Sequence, residues 1–340
     1  MLVVGIGVDI GGTHISAVAL GEDSGDGELC RSDREVVERD VPTVVNLLVE
    51  CLFEIHGKLF ETQGQGNFEI IGIGFAVPGN VDPVACQTRY LPNFQWLDAV
   101  PLKQLVLERL FSAEFAGKFD HCSADKVRVE MRNDGRCAAI AEYAFGCGRS
   151  GVGVFSMLTL GTGIGGALII DGKLFDGASF DAGDFGHHVI RSGDQALPCV
   201  CGKSGCFETH ASALGLVKLY NRLPGADKCC TGPNSKGHDA LGILKKKRAG
   251  DTVAALAWDT YADDLATGLA NLVTFYNPNL IVLGGGLGQA EELYQDNDIE
   301  FRVDAKTLPA TRGKVKVVRA TLGGKAGALG AALLALGRGV

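Results

Sequence analysis

The stretch that decides the fold is residues 3–20, VVGIGVDIGGTHISAVAL, in which two apolar, β-branched runs flank the turn GGT. Apolar runs on both sides of such glycines predict a strand, a tight turn and a second strand. Residues 153–175, GVFSMLTLGTGIGGALIIDGKLF, repeat the same order of strand, glycine turn and strand. The recurrence predicts that the two halves of the chain share one architecture.

Helical patterns alternate with these strands. From Pro42 onward, apolar residues recur at intervals of three and four, which predicts a helix with proline in its first turn. Four further elements are predicted, namely a buried strand at 68–77, a helix at 251–276, a strand ending in glycines at 277–287 and an apolar helix at 323–336. Strands and helices that alternate in this way predict the α/β class.

A chain of 340 residues is long enough for two domains that each bury their own core. No low-complexity linker separates the repeated halves, and we place the boundary near residue 130. The predicted first domain comprises residues 1–129 together with a returning C-terminal helix in 325–340, and the predicted second domain comprises residues 130–324.

The composition excludes several classes of protein. Hydrophobic residues make up 46% and charged residues 21%, as in globular proteins, and the formal net charge is −8. Binding to a polyanion needs a basic face, and the one short basic run, LKKKR at 244–248, is interpreted as a solvated helix face. The N-terminal residues lack signal-peptide features, and no apolar run reaches the length of a membrane span. We therefore expect a cytoplasmic protein without nucleic-acid or membrane partners.

The turn DIGGT at 9–13 places an acid at the end of a strand and glycines after it. Glycines allow backbone N–H groups to converge on an anion, and Thr13 adds a hydroxyl donor. Asp9 would repel a phosphate there unless a cation such as Mg²⁺ lay between them. A plain hairpin turn with an exposed aspartate explains this short motif equally well.

Two later glycine turns follow strands in the same manner. In LGTGIGG at 160–166, Thr162 and Gly163 are candidate donors to phosphate oxygens, and LGGGL at 283–287 offers a flat surface for an adenine ring. The first is neither a Walker loop nor a dinucleotide turn, because no lysine and no helix follow it. A glycine-rich turn at the end of a strand can also occur without a ligand. The three turns therefore indicate a ligand site only when they are taken together.

The segment DFGHHVIRSGDQALPCVCGKSGCFETH at 184–210 concentrates thiols and imidazoles. One histidine and three cysteines form the ligand set of a closed tetrahedral zinc site, namely His187, Cys199, Cys201 and Cys206. A disulfide is disfavoured because a CxC pair closes awkwardly and a third thiol would be left over. The zinc is expected to be structural, since all four positions are filled. Cys229 and Cys230 lie in a loop without an evident partner.

The order of these motifs resembles the ROK family of sugar kinases and related repressors, from Val4 to about Leu336. The resemblance implies two actin-like (ribonuclease H-like) α/β domains with a cleft between them, and ATP with Mg²⁺ as the phosphate donor. The residues that would contact ATP and Mg²⁺ lie in the three glycine turns: Asp9, Gly11, Gly12, Thr13, Gly161, Thr162, Gly163, Gly284, Gly285 and Gly286.

The resemblance also implies a sugar site. The family signature GHx11CxCGxxGCxE is present, and VPGNVDP at 77–83 matches the segment that carries family sugar contacts. The predicted sugar-binding residues are Gly79, Asn80, Asn133, Asp134, Asp184, His187 and Glu208. Asp184 departs from the family, which usually has glutamate at that position.

RNDGRCAAIAE at 132–142 carries the predicted catalytic base, Asp134. From the segment alone, Asp134 would be interpreted as a helix N-cap, and it is the resemblance that favours catalysis. Arg136 stands where the family commonly has asparagine.

The expected activity is transfer of the ATP γ-phosphoryl group to the 6-hydroxyl of a hexose, with glucose favoured. N-acetylmannosamine, N-acetylglucosamine or fructose kinases are the alternatives within the class, and a non-catalytic sugar-sensing regulator is the alternative outside it. A repressor would carry a DNA-binding region ahead of the first phosphate turn, and the position of Asp9 argues against one. The resemblance further implies a homodimer.

Overall fold

The computed structural model describes residues 1–25, 27–64, 66–91, 94–115, 119, 126–149, 151–227, 239–295 and 298–338. Cys229 and Cys230 therefore lie outside the described residues. The chain divides into two compact units. Unit 1 comprises Met1–Arg149, Asp176–Asp181 and Gly324–Val340, and unit 2 comprises Ser150–Phe175 and Ala182–Gly323.

Unit 1 is built on a five-stranded sheet with the order β3-β2-β1-β4-β7. The strands of unit 1 are β1 Leu2–Ile10, β2 His14–Gly21, β3 Glu28–Glu35, β4 Phe68–Val77, β5 Asn80–Asp82, β6 Gln87–Tyr90 and β7 Arg128–Asn133. β1, β2 and β3 pair antiparallel, whereas β4 pairs parallel with β1 on one side and β7 on the other. β5 and β6 form a separate antiparallel ribbon.

Among the described residues up to Arg149, the helices are α1 Val41–Gln63, α2 Leu102–Leu110 and α3 Asp134–Ala144, with 3₁₀ turns at Gln95–Leu97 and Ala113–Phe115. α1 begins where the sequence predicts, because Asp40 accepts a hydrogen bond from the N–H of Thr43 at 2.8 Å and proline stands in the first turn. Its apolar positions at helical spacing are buried against the sheet.

Unit 2 repeats the sheet with the order β10-β9-β8-β11-β12. Its strands are β8 Val154–Leu160, β9 Ile164–Ile170, β10 Lys173–Leu174, β11 Leu280–Gly284 and β12 Lys316–Arg319. Again the first three strands pair antiparallel and the fourth and fifth pair parallel. The two sheets therefore have the same strand order and directions, and the predicted α/β duplication is confirmed.

The helices of unit 2 are α4 Phe207–Ala211, α5 Ala213–Arg222, α6 Asp239–Arg248, α7 Thr252–Tyr276, α8 Gly285–Gly288 and α9 Asp298–Lys306, with 3₁₀ turns at Phe185–His187, Gly193–Gln195 and Glu291–Leu293. The predicted helix at 251–276 is α7, which Asp251 caps through hydrogen bonds from the N–H groups of Val253 and Ala254. It ends at Asn277, whose φ of 46° is left-handed.

The last helix, α10 Ala326–Ala335, follows a 3₁₀ turn at Gly323–Lys325 and packs on β1, β4 and α3 of unit 1. Glycines permit this close approach. A Cβ on Gly74 would stand 2.6 Å from the carbonyl carbon of Ala331, and one on Gly7 would stand 2.9 Å from the same atom. The terminal helix therefore forms part of the core of unit 1.

The division between the units differs from the predicted boundary near residue 130. β7 adds to the sheet of unit 1 through β4, and α3 packs against α10, so both elements belong to unit 1. The chain passes to unit 2 after Arg149. Among the described residues, no helix has both the length and the apolar character that crossing a bilayer requires.

Candidate active site

Two acids lie at the same edge of the unit 1 sheet. Asp9 is the penultimate residue of β1, and Asp134 follows β7 as the first residue of α3. Because β1 and β7 flank β4 and all three run parallel, their carboxyl ends meet at one edge of the sheet. The charge of Asp134 acts directly on Asp9, which places the two carboxyl groups in one electrostatic site.

Burial controls the protonation of this acid pair. The pKa of Asp9 is raised from 3.8 to about 7, mainly by burial and in part by the charge of Asp134, while Arg31 opposes the rise. Burial also raises the pKa of Asp134, against hydrogen bonds from the N–H of Gly135 and from Asn133. Two neighbouring carboxylates of like charge are stable together when a cation compensates them, so this pair fits a Mg²⁺ ion.

Asn133, rather than Asp134, caps α3. Its Oδ1 accepts hydrogen bonds from the N–H groups of Gly135 at 2.9 Å and Arg136 at 3.3 Å. The amide Nδ2 of Asn133 donates to the carbonyl of Gly79 at 3.0 Å. The interpretation of Asp134 as the N-cap is therefore wrong, and the carboxyl group of Asp134 is available for another role. Sugar contact by Asn133 stays a prediction.

Gly79 and Asn80 lie where β4 turns into β5. Gly79 has a φ of 80°, and a Cβ there would stand 2.8 Å from the carbonyl oxygen of Tyr90. This position therefore requires glycine for its backbone as well as for space. Asn80 donates from Nδ2 to Oδ1 of Asp181. Through Gly79, the hydrogen bond of Asn133 connects this turn to the start of α3.

The first two glycine turns each contain an internal backbone hydrogen bond. The N–H of Gly11 donates to the carbonyl of His14 at 2.9 Å, and the N–H of Gly161 donates to the carbonyl of Gly163 at 3.0 Å. Each turn joins the first two strands of its sheet, and the residue near its tip, Thr13 or Thr162, is exposed. Gly12 lies between Gly11 and Thr13, where a Cβ would stand 3.1 Å from the ring of Phe94.

The third glycine turn begins at the end of β11. Gly284 closes the strand, and Gly285, with a φ of 76°, starts α8. A Cβ on Gly285 would stand 2.6 Å from the carbonyl oxygen of Leu160, so the turn packs tightly against β8. A Cβ on Gly286, by contrast, would meet no described atom within 4 Å. The surface over Gly286 is therefore open to a flat ligand.

The four predicted metal ligands converge. The ligand atoms of His187, Cys199, Cys201 and Cys206 all lie within 4.8 Å of one another. The Sγ atoms of Cys201 and Cys206 are 3.6 Å apart, and Nδ1 of His187 is 3.7 Å from Sγ of Cys199. A tetrahedron with Zn–S bonds of about 2.3 Å has edges of about 3.8 Å. The donor set and its spacing therefore fit a four-coordinate zinc ion.

Local turns bring the ligands together. Gly202 and Gly205 have left-handed φ values of 85° and 81°, which fold the CVCGKSGC segment back on itself. Burial and the neighbouring sulfurs raise the pKa of Cys206 to about 12, whereas a hydrogen bond from the N–H of Lys203 lowers the pKa of Cys201. Neighbouring thiolates repel one another, and a divalent cation would remove that penalty.

Glu208 lies two residues beyond Cys206, the last of the candidate metal ligands, and beneath the second glycine turn. Its Oε2 accepts a hydrogen bond from the N–H of Ile164 at 2.9 Å. Asp184 is exposed, and its carbonyl accepts from the N–H of His187 at 3.1 Å. Sugar contacts by Asp184, His187 and Glu208 stay predictions. The link from Glu208 to the glycine turn was not predicted, since residues so distant in sequence show no pattern that pairs them.

A second group was also missed by sequence reasoning. Arg136, on α3, donates from Nη1 to the carbonyl of Phe180, and its Nη1 lies 3.6 Å from Oδ1 of Asp176. The only sequence signal was that arginine replaces the asparagine usual at position 136. Arg136 is only 4% exposed, and a buried arginine requires acidic or carbonyl partners, which the linear sequence does not identify.

Two units with one strand order, each with a glycine turn between its first two strands, define a duplicated actin-like α/β protein. The sequence model of the ROK family matches residues 5–338. The chain belongs to the ROK family, and the resemblance inferred from its motifs is confirmed.

Individual relatives agree with that assignment. The chain is 38% identical over 218 residues to the N-acetylgalactosamine kinase AgaK of Shewanella sp. (strain ANA-3), a match that covers 62% of this chain and 65% of that protein. It is 31% identical over 337 residues to a glucokinase of Streptomyces coelicolor, covering 97% and 96% of the two chains. A ROK family glucokinase from Streptomyces griseus, solved with glucose and AMPPNP, superposes with a TM-score of 0.72 at 28% identity and covers 98% of this chain and 99% of its own.

Proposed function

We propose that this chain is an ATP-dependent hexose kinase that transfers the γ-phosphoryl group to the 6-hydroxyl of its sugar, with glucose as the first candidate. The observation that carries the proposal is the position of the Asp134 carboxyl group, at the edge of the sheet where Asp9 also lies. Asp134 begins α3 with a raised pKa, Asn133 performs the capping in its place, and Asp9 is its charged neighbour. Glucokinases that match along nearly the whole chain support the choice of glucose.

Asp134 accepts the proton of the attacking hydroxyl in this proposal. A sugar alcohol is a weak nucleophile, and a carboxylate with a raised pKa is a stronger base than an ordinary aspartate once it is ionised. The N–H of Gly135 donates to Oδ1 of Asp134 at 2.8 Å and orients the carboxyl group. Phosphoryl transfer otherwise depends on positioning the two substrates and on neutralising the phosphate charges, so a single correctly oriented base is sufficient.

Asp9 would hold Mg²⁺, directly or through water. When bound, the ion neutralises the phosphate oxygens of ATP and the charge that develops during transfer. Asp9 fits this role because its carboxyl group is held rigidly: the first turn of α10 lies against it, and a Cβ on Gly327 would stand 2.8 Å from its Cγ. The same close contact explains why residue 327 is glycine, because the methyl group of an alanine would collide with the carboxyl group of Asp9.

The glycine turns would bind the nucleotide. Thr13 and Thr162 present exposed hydroxyl and N–H donors at the tips of equivalent turns, and such donors suit phosphate oxygens. The open surface over Gly286 suits the adenine ring. Gly11, Gly12, Gly161, Gly163, Gly284 and Gly285 give these turns their shape, as their internal hydrogen bonds and close contacts indicate.

The cluster of His187, Cys199, Cys201 and Cys206 would hold a structural zinc ion. Four protein ligands leave no open coordination position, so the ion would stabilise the loop without taking part in the reaction. Glu208 follows this loop directly, and the loop therefore determines where Glu208 lies.

An N-acetylhexosamine kinase is the second candidate. The observation that favours it is the similarity to an N-acetylgalactosamine kinase, which has the higher identity of the two relatives but matches a shorter part of the chain. N-acetylmannosamine and N-acetylglucosamine belong to the same group of substrates, and fructose is a third option.

A coupled assay of ADP release, with Mg²⁺, ATP and a panel of sugars, tests the proposal. The panel contains glucose, mannose, fructose, allose, galactose and the N-acetyl derivatives of glucosamine, mannosamine and galactosamine. The highest kcat/KM for glucose supports a glucokinase, and the highest value for an acetamido sugar supports the second candidate. Turnover of no hexose would contradict kinase activity and favour a sugar-sensing regulator. The proposed homodimer is tested by light scattering of the purified protein.

A further inference from the structure

The segment Asp176–Asp181 belongs to unit 1, although the chain on both sides of it belongs to unit 2. We call these six residues the crossing segment. Side chains of unit 1 hold it at several points. Besides the Arg136 bond to Phe180, Nη1 of Arg89 donates to the carbonyl of Ser179 at 3.4 Å, and Nη2 of Arg132 lies 3.5 Å from Oδ2 of Asp176.

The central contact of the crossing segment is Arg136. Only 4% of this arginine is exposed, so its charge has lost most of its water. An arginine is stable in such a place when carbonyl or carboxylate groups replace the water, and the carbonyl of Phe180 and the carboxylate of Asp176 do so here. Arg136 therefore has partners in the crossing segment, and it is one of the residues that attach this segment to unit 1.

Phe180 has a left-handed backbone, with a φ of 65°. This conformation is unfavourable for a residue with an aromatic side chain, at a cost of roughly 1–3 kcal/mol. Such a residue persists only where its surroundings hold it. The hydrogen bond from Arg136 is made to the carbonyl of this same residue, and it offsets the strain at the point where the strain is located.

The next residue of the crossing segment contacts a predicted sugar ligand. Oδ1 of Asp181 accepts from Nδ2 of Asn80. This bond uses one N–H donor of the Asn80 amide and fixes the direction of its Oδ1 atom. Oδ1 of Asn80 and the second carboxylate oxygen of Asp181 then form a pair of hydrogen-bond acceptors. A pair of acceptors recognises donors, and the donors of a hexose are its hydroxyl groups.

We propose that Arg136 is a positioning residue for the sugar: it holds Phe180 in its strained conformation so that Asp181 orients Asn80 toward a hydroxyl-bearing face of the hexose. The inference rests on the proposed kinase function and extends it from the family's usual contacts to a clamp made by Arg136 and Asp181. Because neither residue touches ATP or Asp134 in this account, the clamp acts on sugar affinity and selectivity.

The first test replaces Arg136 by Met and by Lys. Loss of a hydrogen bond from a charged group shifts a conformational equilibrium by roughly 10- to 150-fold. Arg136→Met should therefore lower the population of the conformation that orients Asn80 and raise the KM for the hexose by about tenfold or more, while the KM for ATP changes less than about twofold. Arg136→Lys keeps one charged donor and should fall between Met and the native residue. Arg109→Met, which removes a unit 1 arginine bonded to Asn46 and Glu114, is the matched control and should leave the sugar KM unchanged.

The second test uses the strain at Phe180. Phe180→Val should reproduce the rise in sugar KM with Arg136 still present, because a β-branched residue is least tolerant of a left-handed backbone. Phe180→Gly should partly restore sugar affinity in the Arg136→Met protein, because glycine adopts this conformation without a steric cost. Equal losses for sugar and ATP in Arg136→Met, or no recovery in the double variant, would overturn the proposal.

A third measurement does not depend on activity. Amide hydrogen exchange of peptides covering residues 176–181 in the ligand-free protein should be faster in Arg136→Met than in the native protein and unchanged in Arg109→Met. Unchanged exchange in Arg136→Met would disprove the clamp. If the native protein phosphorylates no hexose while the exchange result holds, the kinase proposal fails and the structural role of Arg136 stands.

Discussion

Glu208 lies directly beneath Gly163. A Cβ on Gly163 would stand 2.9 Å from Cδ of Glu208, and Oε2 of Glu208 accepts a hydrogen bond from the N–H of the next residue, Ile164. The absence of a side chain at Gly163 thus makes room for the carboxylate that follows the zinc-ligand loop. The two features, the glycine turn and the loop, are joined through this contact.

Gly163→Ala should therefore lower the free energy of unfolding and raise the KM for ATP, because the methyl group displaces Glu208 and the turn with it. Overpacking of this kind costs about 1–3 kcal/mol. Denaturant unfolding and initial-rate kinetics measure the two effects. Gly161→Ala is the matched control in the same turn, since its Cβ would come no closer than 4.0 Å to a described atom. Equal stability of the two variants would contradict the packing role of Glu208.

Asp134→Asn should reduce turnover by about 10²- to 10⁴-fold, the range expected for the loss of a general base. The amide has nearly the same shape and retains an oxygen for the N–H of Gly135, so sugar affinity should change little. Initial-rate kinetics and calorimetric titration with the best hexose separate the two quantities. Turnover within a few fold of the native protein would remove Asp134 from its proposed role.

Asp9→Asn should stabilise the metal-free protein at pH 8. The pKa of Asp9 is raised from 3.8 in the unfolded chain to about 7 in the fold, so ionisation opposes folding as the pH rises through this interval. The penalty is absent below about pH 4 and reaches at most about 4 kcal/mol at pH 8. Thermal unfolding at pH 4 and pH 8 should show a gain in Tm for the variant only at the higher pH.

Asp23→Asn provides the control for this pH dependence, because Asp23 is exposed and carries the same change of charge. It should leave the difference between the two pH values as in the native protein. The opposite result would be a loss of Tm in Asp9→Asn, relative to the native protein, that is larger at pH 8 than at pH 4. It would show that the Asp9 carboxylate stabilises the fold. Other groups of the protein would then have to neutralise the charges of Asp9 and Asp134.

Cys201→Ser should release zinc and lower both Tm and sugar affinity. The native protein should contain roughly one zinc ion per chain by elemental analysis. Loss of one of four ligands weakens the site, and the loop that positions Glu208 then becomes less ordered. Cys147→Ser removes a cysteine outside the cluster and should retain the metal. Native protein without zinc would contradict the proposed site.

Features that depend on residues close together in the chain could be predicted from the sequence. The apolar runs around residues 11–13 and 161–163 specified two strand-turn-strand units, and the spacing of apolar residues specified α1, α7 and α10. The convergence of the four candidate metal ligands was also predictable, because all four lie within one short segment whose glycines turn the chain back. Periodicity and turn chemistry are local properties, and they can be recognised in a linear chain.

Contacts between residues that are distant in the sequence became visible only in the folded chain. Asp9 reaches Asp134 because β4 inserts between β1 and β7, and the same pairing draws β7 and α3 into unit 1 and moves the boundary beyond residue 130. Arg136 reaches Phe180 because six residues from the second half of the chain group with the first. Contacts of this kind follow from strand order and from the burial of charge, and neither property is encoded in the spacing of residues along the chain.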